Sequence, residues 1–154
     1  MNYTKPVICA LLISTLSAPV FAAKPNSWGD SSEMSKVSQK IDDKQYEAAI
    51  QDLQKMVAKD DNNADAYNLL GFSNRKIKNY DVAEKYYLRA LTLNPKHKGA
   101  MEYLGELYVE TDRMDKANEM LTRLDEACFF SCKEYTELKG FIEKKEKGLE
   151  VSAK

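Results

Sequence analysis

Small and large side chains recur in this chain at a spacing of 34 residues, over three consecutive windows. Leu70-Gly71 is followed, 34 positions later, by Leu104-Gly105. Three further series keep the same spacing: Ala49, Ala83 and Ala117; Tyr46, Tyr80 and Met114; Leu53, Tyr87 and Leu121. A fixed period of this length is the sequence signature of a repeat protein. We therefore expect the core to form by stacking copies of one small unit.

The composition favours helices within each unit. After Asp30 the chain contains one proline, Pro95, and is dominated by glutamate, lysine, leucine and alanine, which are strong helix formers. With 154 residues, of which 44% are hydrophobic and 31% charged, the chain is long enough for one globular domain and too apolar to be disordered. The period and the composition together predict an all-α domain.

The pattern resembles the tetratricopeptide repeat family, whose 34-residue unit is a helix–turn–helix. The window 64–97 matches the family's aromatic, Leu-Gly, alanine and proline positions best, through Tyr67, Leu70-Gly71, Ala83, Tyr87, Ala90 and Pro95. The window 98–131 matches at Leu104, Gly105, Tyr108, Ala117 and Leu121. The window 30–63 matches only in its second half. The resemblance implies a right-handed superhelix of three antiparallel helix pairs, with a degenerate first repeat.

The predicted domain spans residues 30–148 and ends in a capping helix at 132–147, followed by a flexible tail at 149–154. Ser131 and Glu134 have the spacing of a capping box, in which each satisfies a backbone donor near the other. Tyr135, Leu138 and Phe141-Ile142 then form one apolar stripe. The stripe would cover the exposed end of the third repeat.

Two local signals predict the bounds of the middle repeat's second helix. Asn79 or Asp81 is expected to cap its start, because a short polar side chain accepts from free backbone N–H groups. Pro95 is expected to end it, because proline disfavours helical geometry in the residue before it.

The first 22 residues are typical of a bacterial signal peptide. Lys5 precedes an apolar run from Val7 to Val20, and Val20-Phe21-Ala22 places small residues where a signal peptidase reads them. The run of about 14 residues is shorter than the roughly 20 that a membrane-spanning helix needs. We expect cleavage after Ala22 or Ala23, a linker at 23–29, and a periplasmic or secreted protein. An uncleaved anchor is the alternative.

Cleavage would leave two cysteines, Cys128 and Cys132. In an oxidising compartment such a pair most simply forms a disulfide, which would attach the capping helix to the last repeat. The alternative is a redox or copper-binding thiol pair, because a cysteine at a helix N-terminus has a lowered pKa. No histidine or third thiol lies nearby in the sequence.

The resemblance also implies a concave groove, lined by the first helix of each repeat, in which a protein or peptide partner lies. The residues at the corresponding positions are Asn68, Phe72, Arg75, Lys76, Glu102, Tyr103, Glu106 and Glu110. The three glutamates share one helix face. They belong either to this groove or to a solvated surface, and burial distinguishes the two. A groove would suit a basic peptide with an apolar anchor, and reversing the three charges should then abolish binding without unfolding the domain.

Other function classes are poorly supported. The 23 basic and 24 acidic residues argue against nucleic-acid binding through bulk charge. His97, the one histidine, is expected to be a solvated turn residue. No phosphate loop, metal-ligand cluster or nucleophile motif is present, so we expect no cofactor, no metal and no catalytic residues.

A clamp for C-terminal carboxylates is also not expected, because Gly99 and Tyr103 occupy positions where such a clamp would need basic residues. Self-association through the groove or an end of the stack stays open.

Overall fold

The computed structural model describes residues 31–130 and 132–149, and these residues form seven helices and no strand. The helices are α1 (Ser31–Asp42), α2 (Tyr46–Lys59), α3 (Ala64–Lys76), α4 (Tyr80–Leu93), α5 (Lys98–Glu110), α6 (Met114–Ala127) and α7 (Lys133–Glu146). The predicted all-α architecture of three helix pairs and a C-terminal capping helix is confirmed. The predicted leader and linker lie outside the described residues, as does the predicted tail apart from Leu149.

The turn inside each helix pair repeats with the same spacing as the sequence. Lys44, Lys78 and Asp112 each follow a first helix and have positive φ angles of 58°, 62° and 58°. The next residue's N–H then bonds the carbonyl five positions back, at 2.8 Å from Gln45 to Lys40, 2.9 Å from Asn79 to Asn74 and 2.7 Å from Arg113 to Tyr108. A left-handed residue lets the chain reverse while the last carbonyls of the helix stay bonded.

The small residues of the repeat lie inside the stack. Ala49, Ala83 and Ala117 are fully buried. A Cβ added at Gly71 would lie 2.5 Å from the ring of Tyr87, so this glycine makes room for an aromatic ring of the same repeat. A Cβ added at Gly105 would lie 2.5 Å from Leu138 of α7. The capping helix therefore occupies a space that the third repeat leaves open.

The buried side chains form two clusters. The smaller one unites α1, α2 and the start of α3 around Val37, Leu53 and Leu70. The larger one runs from Ala83 on α4 to Ile142 on α7. Tyr67 packs against both clusters and connects them.

The helix caps differ from the prediction at two places. The α4 helix begins at Tyr80, and the side chain of its N-cap residue, Asn79, makes no cap hydrogen bond but donates through Nδ2 to Asn74 Oδ1 at 3.3 Å. The expected cap by Asn79 or Asp81 is therefore wrong. His97 is not a solvated turn residue, since its side chain is only 12% exposed. Its Nδ1 accepts from the N–H of Ala100 at 3.1 Å and caps α5.

The end of α4 and the apolar face of α7 follow the prediction more closely. Asn94 ends α4 directly before Pro95, as expected. On α7 the predicted stripe is turned inward, with Leu138, Phe141 and Ile142 buried. The N-cap of α7 is Cys132, without a side-chain cap hydrogen bond, rather than the expected Ser131, which lies outside the described residues. No helix within 31–130 or 132–149 is long and apolar enough to cross a membrane.

Candidate functional site

The α3, α5 and α7 helices lie side by side in the domain. The α3 helix contacts α5, and α5 contacts α7, in addition to the contacts within each helix pair. All eight groove residues expected from the sequence lie on α3 or α5. The candidate site is therefore the surface that these two neighbouring helices share.

A buried ion-pair network joins α3 to α5. Arg75 Nη2 lies 2.6 Å from Glu106 Oε2, and Nη1 lies 2.8 Å from Glu110 Oε1. The exposed fractions of these side chains are 0% for Arg75, 2% for Glu106 and 8% for Glu110. Burial raises the pKa of Glu110, and the guanidinium of Arg75 opposes this rise. One arginine thus holds two carboxylates that lie one helical turn apart.

This network changes the interpretation of the glutamate row. Glu106 and Glu110 are neither a solvated surface nor free carboxylates waiting for a basic partner, because Arg75 already holds them. Reversing their charges would place buried cations against Arg75, which is strongly destabilising. The expectation that charge reversal of Glu102, Glu106 and Glu110 leaves the domain folded is therefore wrong.

Glu102 is buried as well, and it lies against the capping helix. Burial, a hydrogen bond with Glu137 of α7 and the charge of Glu106 raise the pKa of Glu102 to about 8. Only 5% of Glu102 is exposed. Burial and the neighbouring carboxyl groups act in the same direction, because each disfavours the ionised form of Glu102. Arg75 pairs with Glu106 and Glu110 and not with Glu102, and Glu137 lies 3.8 Å from Lys133 Nζ.

Three aromatic side chains lie next to the network and stay partly exposed. The rings of Phe72 and Tyr103 are 5.0 Å apart between centroids, and Tyr46 meets Phe72 edge-on at 6.4 Å. Arg75 lies 5.9 Å from the Phe72 centroid and 5.7 Å from that of Tyr103, and Lys76 Nζ lies 5.2 Å from Phe72. We call Tyr46, Phe72 and Tyr103 the aromatic platform.

The site prediction did not include Tyr46, which the sequence analysis used only as a member of a 34-residue series. It is the first residue of α2, whereas the groove pattern was sought only on first helices. Its recurrence in phase with Tyr80 and Met114 gave a packing signal but no sign of its contact with Phe72.

Asn68 lies one helical turn before Phe72 and is 7% exposed. Its Oδ1 has no hydrogen-bond partner among the described residues. A Cβ added at Gly99 would lie 3.4 Å from Asn68 Nδ2, so the glycine leaves space beside this amide. The candidate site therefore includes an unused hydrogen-bond acceptor.

Charge changes sign along this surface. At one end Lys76 lies beside Phe72, and burial followed by the charge of Arg75 lowers its pKa. The platform lies in the middle, and Glu102 lies near Asn68 at the other end. The arrangement suits a ligand that carries an acidic group, an apolar or aromatic group and a basic group in that order.

The two cysteines lie away from this surface, between α6 and α7. The structure joins Cys128 to Cys132 with their Cα atoms 5.8 Å apart. No group of three potential metal ligands converges within the described ranges. The disulfide stays a prediction for the purified protein, which intact-mass analysis with and without reductant tests.

The sequence profile of the tetratricopeptide repeat family matches residues 64–97, which span α3 and α4. The flanking helix pairs repeat the same turn and the same buried small residues. The chain carries a tetratricopeptide-repeat domain. No curated protein sequence is similar enough to count as a relative.

Solved tetratricopeptide structures share this architecture. The first repeat domain of Spaghetti (RPAP3), bound to the HSP90 peptide SRMEEVD, is 19% identical, with a TM-score of 0.67 over 79% of this chain and 96% of that one. The Yersinia enterocolitica secretion chaperone SycD, in complex with a peptide of the translocator YopD, is 17% identical, with a TM-score of 0.65 over 76% and 88%. These two similarities establish the fold alone.

The MamA RS-1 ArsTM double mutant is more similar in sequence. It is 26% identical, with a TM-score of 0.59 over 62% of this chain. The match spans 53%, or about half, of the length of that protein.

Proposed function

We propose that this protein is a non-enzymatic scaffold that binds a peptide segment of another protein in the groove between α3, α5 and α7. The signal-peptide pattern of residues 1–22 supports a periplasmic location for this role. The observation that carries the proposal is the aromatic platform, whose rings are left partly exposed on the face that the first helices share.

The platform has the properties of a binding hot spot. Aromatic and arginine side chains contribute most of the energy at protein interfaces, because they bury a large area at a small entropic cost. Phe72 belongs to neither buried cluster of the domain, so its ring is available for a ligand. Arg75 and its two glutamates hold α3 against α5, and such a rigid site needs little ordering when a ligand binds.

The charges define the chemistry of the peptide. Glu102 is the member of the acidic row that Arg75 does not hold, so a lysine or arginine of the ligand belongs at that end. An apolar or aromatic side chain belongs on Phe72 and Tyr103. The unused Oδ1 of Asn68 accepts one further hydrogen bond. An acidic C-terminal peptide such as SRMEEVD is not expected to bind, because Gly99 and Tyr103 replace the basic residues that a carboxylate clamp requires.

The peptide complexes of SycD and Spaghetti support this proposal at the level of the fold. Both structures hold a short peptide in a domain with the same helix-pair stack. The identity of the peptide here must come from the groove itself, since similarity at this level carries no information on specificity.

The test is selection from a random peptide library, followed by fluorescence anisotropy on the selected peptides. We expect a basic residue and an apolar anchor in the selected sequences. Phe72→Ala should weaken binding by about 10-fold or more, the loss typical of a hot-spot residue. Leu88→Ala is the matched control, because Leu88 is exposed on α4 and lies outside the site. Equal binding by wild type and Phe72→Ala, with melting curves unchanged, would contradict the proposed groove.

A further inference from the structure

The only tryptophan of the chain, Trp28, belongs to the short stretch that precedes α1. This stretch, residues 24–30, reads Lys-Pro-Asn-Ser-Trp-Gly-Asp and is polar apart from Pro25 and Trp28. A connecting segment does not need a tryptophan, whereas tryptophan is one of the residues most enriched at binding hot spots. Both cleavage positions expected from the sequence precede Lys24, so the stretch would stay in the mature protein. We call residues 24–30 the tryptophan segment.

The tryptophan segment joins the domain at the edge where α3 and α5 begin. Glu33, in the first turn of α1, lies 3.1 Å from Lys59 at the end of α2. The turn at 60–63 then leads directly into α3. Asp65, in the first turn of α3, lies 3.0 Å from Nε2 of His97, the N-cap residue of α5. The starts of α1, α3 and α5 therefore lie along one edge, and the chain before α1 enters there.

The tryptophan segment is long enough to cross the groove of its own copy. Seven extended residues span at most about 23–25 Å. Val37 of α1 shares a buried cluster with Leu70 of α3, and α3 contacts α5. The axes of packed helices are about 8–10 Å apart, so α5 lies about 16–20 Å from α1. Proline also biases the backbone of the residue before it, Lys24, towards an extended conformation.

The order of groups in the tryptophan segment matches the order of groups in the groove. A chain that runs from α1 towards α7 meets the aromatic platform on α3 and α5 first, and then Glu102 on the side of α5 that contacts α7. Going the same way along the segment, Trp28 comes first, three residues before α1, and Lys24 follows. An aromatic side chain and a basic side chain are the two groups that the groove is proposed to bind.

We propose that the tryptophan segment lies in the groove of its own copy, with Trp28 on the aromatic platform and Lys24 at Glu102. Trp28 then covers the partly exposed rings of Phe72 and Tyr103. The inference rests on the proposed function, because it uses the same groove. It adds that the groove holds an intramolecular ligand, which a partner peptide must displace.

The tether determines how strongly the segment competes with a partner peptide. A short flexible tether gives an effective concentration on the order of 1 mM, so a segment with a Kd of about 100 μM leaves about one groove in ten free. Trp28→Ala should therefore tighten the binding of library-selected peptides by about 10-fold, measured by fluorescence anisotropy. Ser27→Ala, in the same segment, is the matched control and should bind these peptides like wild type.

Intrinsic fluorescence tests the docking itself, because Trp28 is the only emitting tryptophan. The reference is the free heptapeptide of residues 24–30. In the purified protein, Trp28 should emit at a shorter wavelength than in this peptide and be quenched less by acrylamide. Phe72→Ala should lower the ratio of docked to undocked segment by about 10-fold or more, the loss typical of a hot-spot residue. Leu88→Ala, on the exposed face of α4, should leave the emission unchanged.

The emission spectrum should not depend on protein concentration between about 1 and 100 μM, because a tethered ligand competes at a fixed effective concentration. Emission that changes with concentration would place the segment in a second copy and overturn the intramolecular contact. Quenching of Trp28 equal to that of the free heptapeptide would overturn the proposal. Protection that survives Phe72→Ala, with circular dichroism melts showing a folded domain, would overturn it too.

The two proposals fail in different ways. A library-selected peptide without tryptophan should shift the emission of Trp28 towards that of the free heptapeptide. Peptides that bind wild type and Trp28→Ala with equal affinity, and that still need Phe72, reject the intramolecular ligand and leave the proposed function standing. A protected Trp28 in wild type, with no selected peptide binding to Trp28→Ala, rejects the partner peptide and leaves the docked segment.

Discussion

Replacing Arg75 by methionine is expected to destabilise the domain far more than any other single charge removal in the groove. Methionine keeps most of the volume but leaves Glu106 and Glu110 buried without their cation. Removing one partner of a buried ion pair costs about 3–5 kcal/mol, because the remaining charge is desolvated and unpaired. For a domain of this size, about 4 °C of melting temperature corresponds to 1 kcal/mol, so we expect a fall of about 12–20 °C.

The loss should also depend on pH with a definite sign. Burial raises the pKa of Glu110 in the folded state above its ordinary value, and replacing Arg75 removes the cation that opposes this rise. The folded state then binds more protons than the unfolded state, so stability falls as pH rises through that window. Arg75→Met should therefore recover part of its stability between pH 7 and pH 5, relative to wild type.

Urea unfolding followed by circular dichroism at both pH values measures these effects. Lys76→Met is the matched control, since Lys76 is the adjacent cation on α3 and holds no buried carboxylate in a direct ion pair. It should cost less than about 0.5 kcal/mol, the usual range for a surface substitution. Arg75→Met combined with Glu106→Gln and Glu110→Gln should regain stability. A loss below about 1 kcal/mol for Arg75→Met, or no difference from Lys76→Met, would refute the reasoning.

Three further predictions concern stability. The pKa of Glu102 rises from an ordinary 4.5 to about 8, so the free energy of unfolding should fall as pH rises between these values. The fall should be at most about 1.4 kcal/mol per pH unit. In urea titrations at several pH values, Glu102→Gln should show a weaker dependence of this free energy on pH. Gly71→Ala should lower the free energy of unfolding by about 1–3 kcal/mol, because the added Cβ meets the Tyr87 ring. Gly140→Ala on α7 should raise it by about 0.5–1 kcal/mol, because the added Cβ enters open space. Thermal melts in which both variants shift the melting temperature in the same direction would contradict this packing. Lys78→Gly should raise the melting temperature slightly, because the positive φ angle of Lys78 costs about 1–2 kcal/mol that glycine does not incur. The greater flexibility of glycine in the unfolded chain offsets only part of that gain. A lower melting temperature for Lys78→Gly would contradict this prediction.

The fold could be predicted because its determinants repeat. Ala83 and Gly71 recur in phase with equivalent residues in neighbouring windows, and an amphipathic helix pair buries its apolar face only against another copy. The resulting register assigns the alanines and glycines to the interior, where the structure has them. The turn residues Lys44, Lys78 and Asp112 gave no such signal, because their side chains differ and only their backbone angles repeat.

The candidate site was harder to predict because its residues depend on pairing across helices. Arg75, Glu106 and Glu110 look like solvated charges in the sequence, since their partners are 31 and 35 residues apart. Charged residues are rarely buried unless they are paired, and pairing over this distance has no local signature. His97 is a similar case. Its second ring nitrogen, Nε2, lies 3.0 Å from Asp65 on the preceding first helix, a contact that turn composition does not indicate.

Amide chemical-shift mapping most directly tests the claim that the face shared by α3, α5 and α7 is the binding surface. A library-selected peptide is titrated into the ¹⁵N-labelled wild-type protein. The account predicts that the largest shifts cluster at Asn68, Phe72, Lys76, Glu102 and Tyr103. Shifts confined to α2, α4 and α6, with these five amides unchanged, would contradict it.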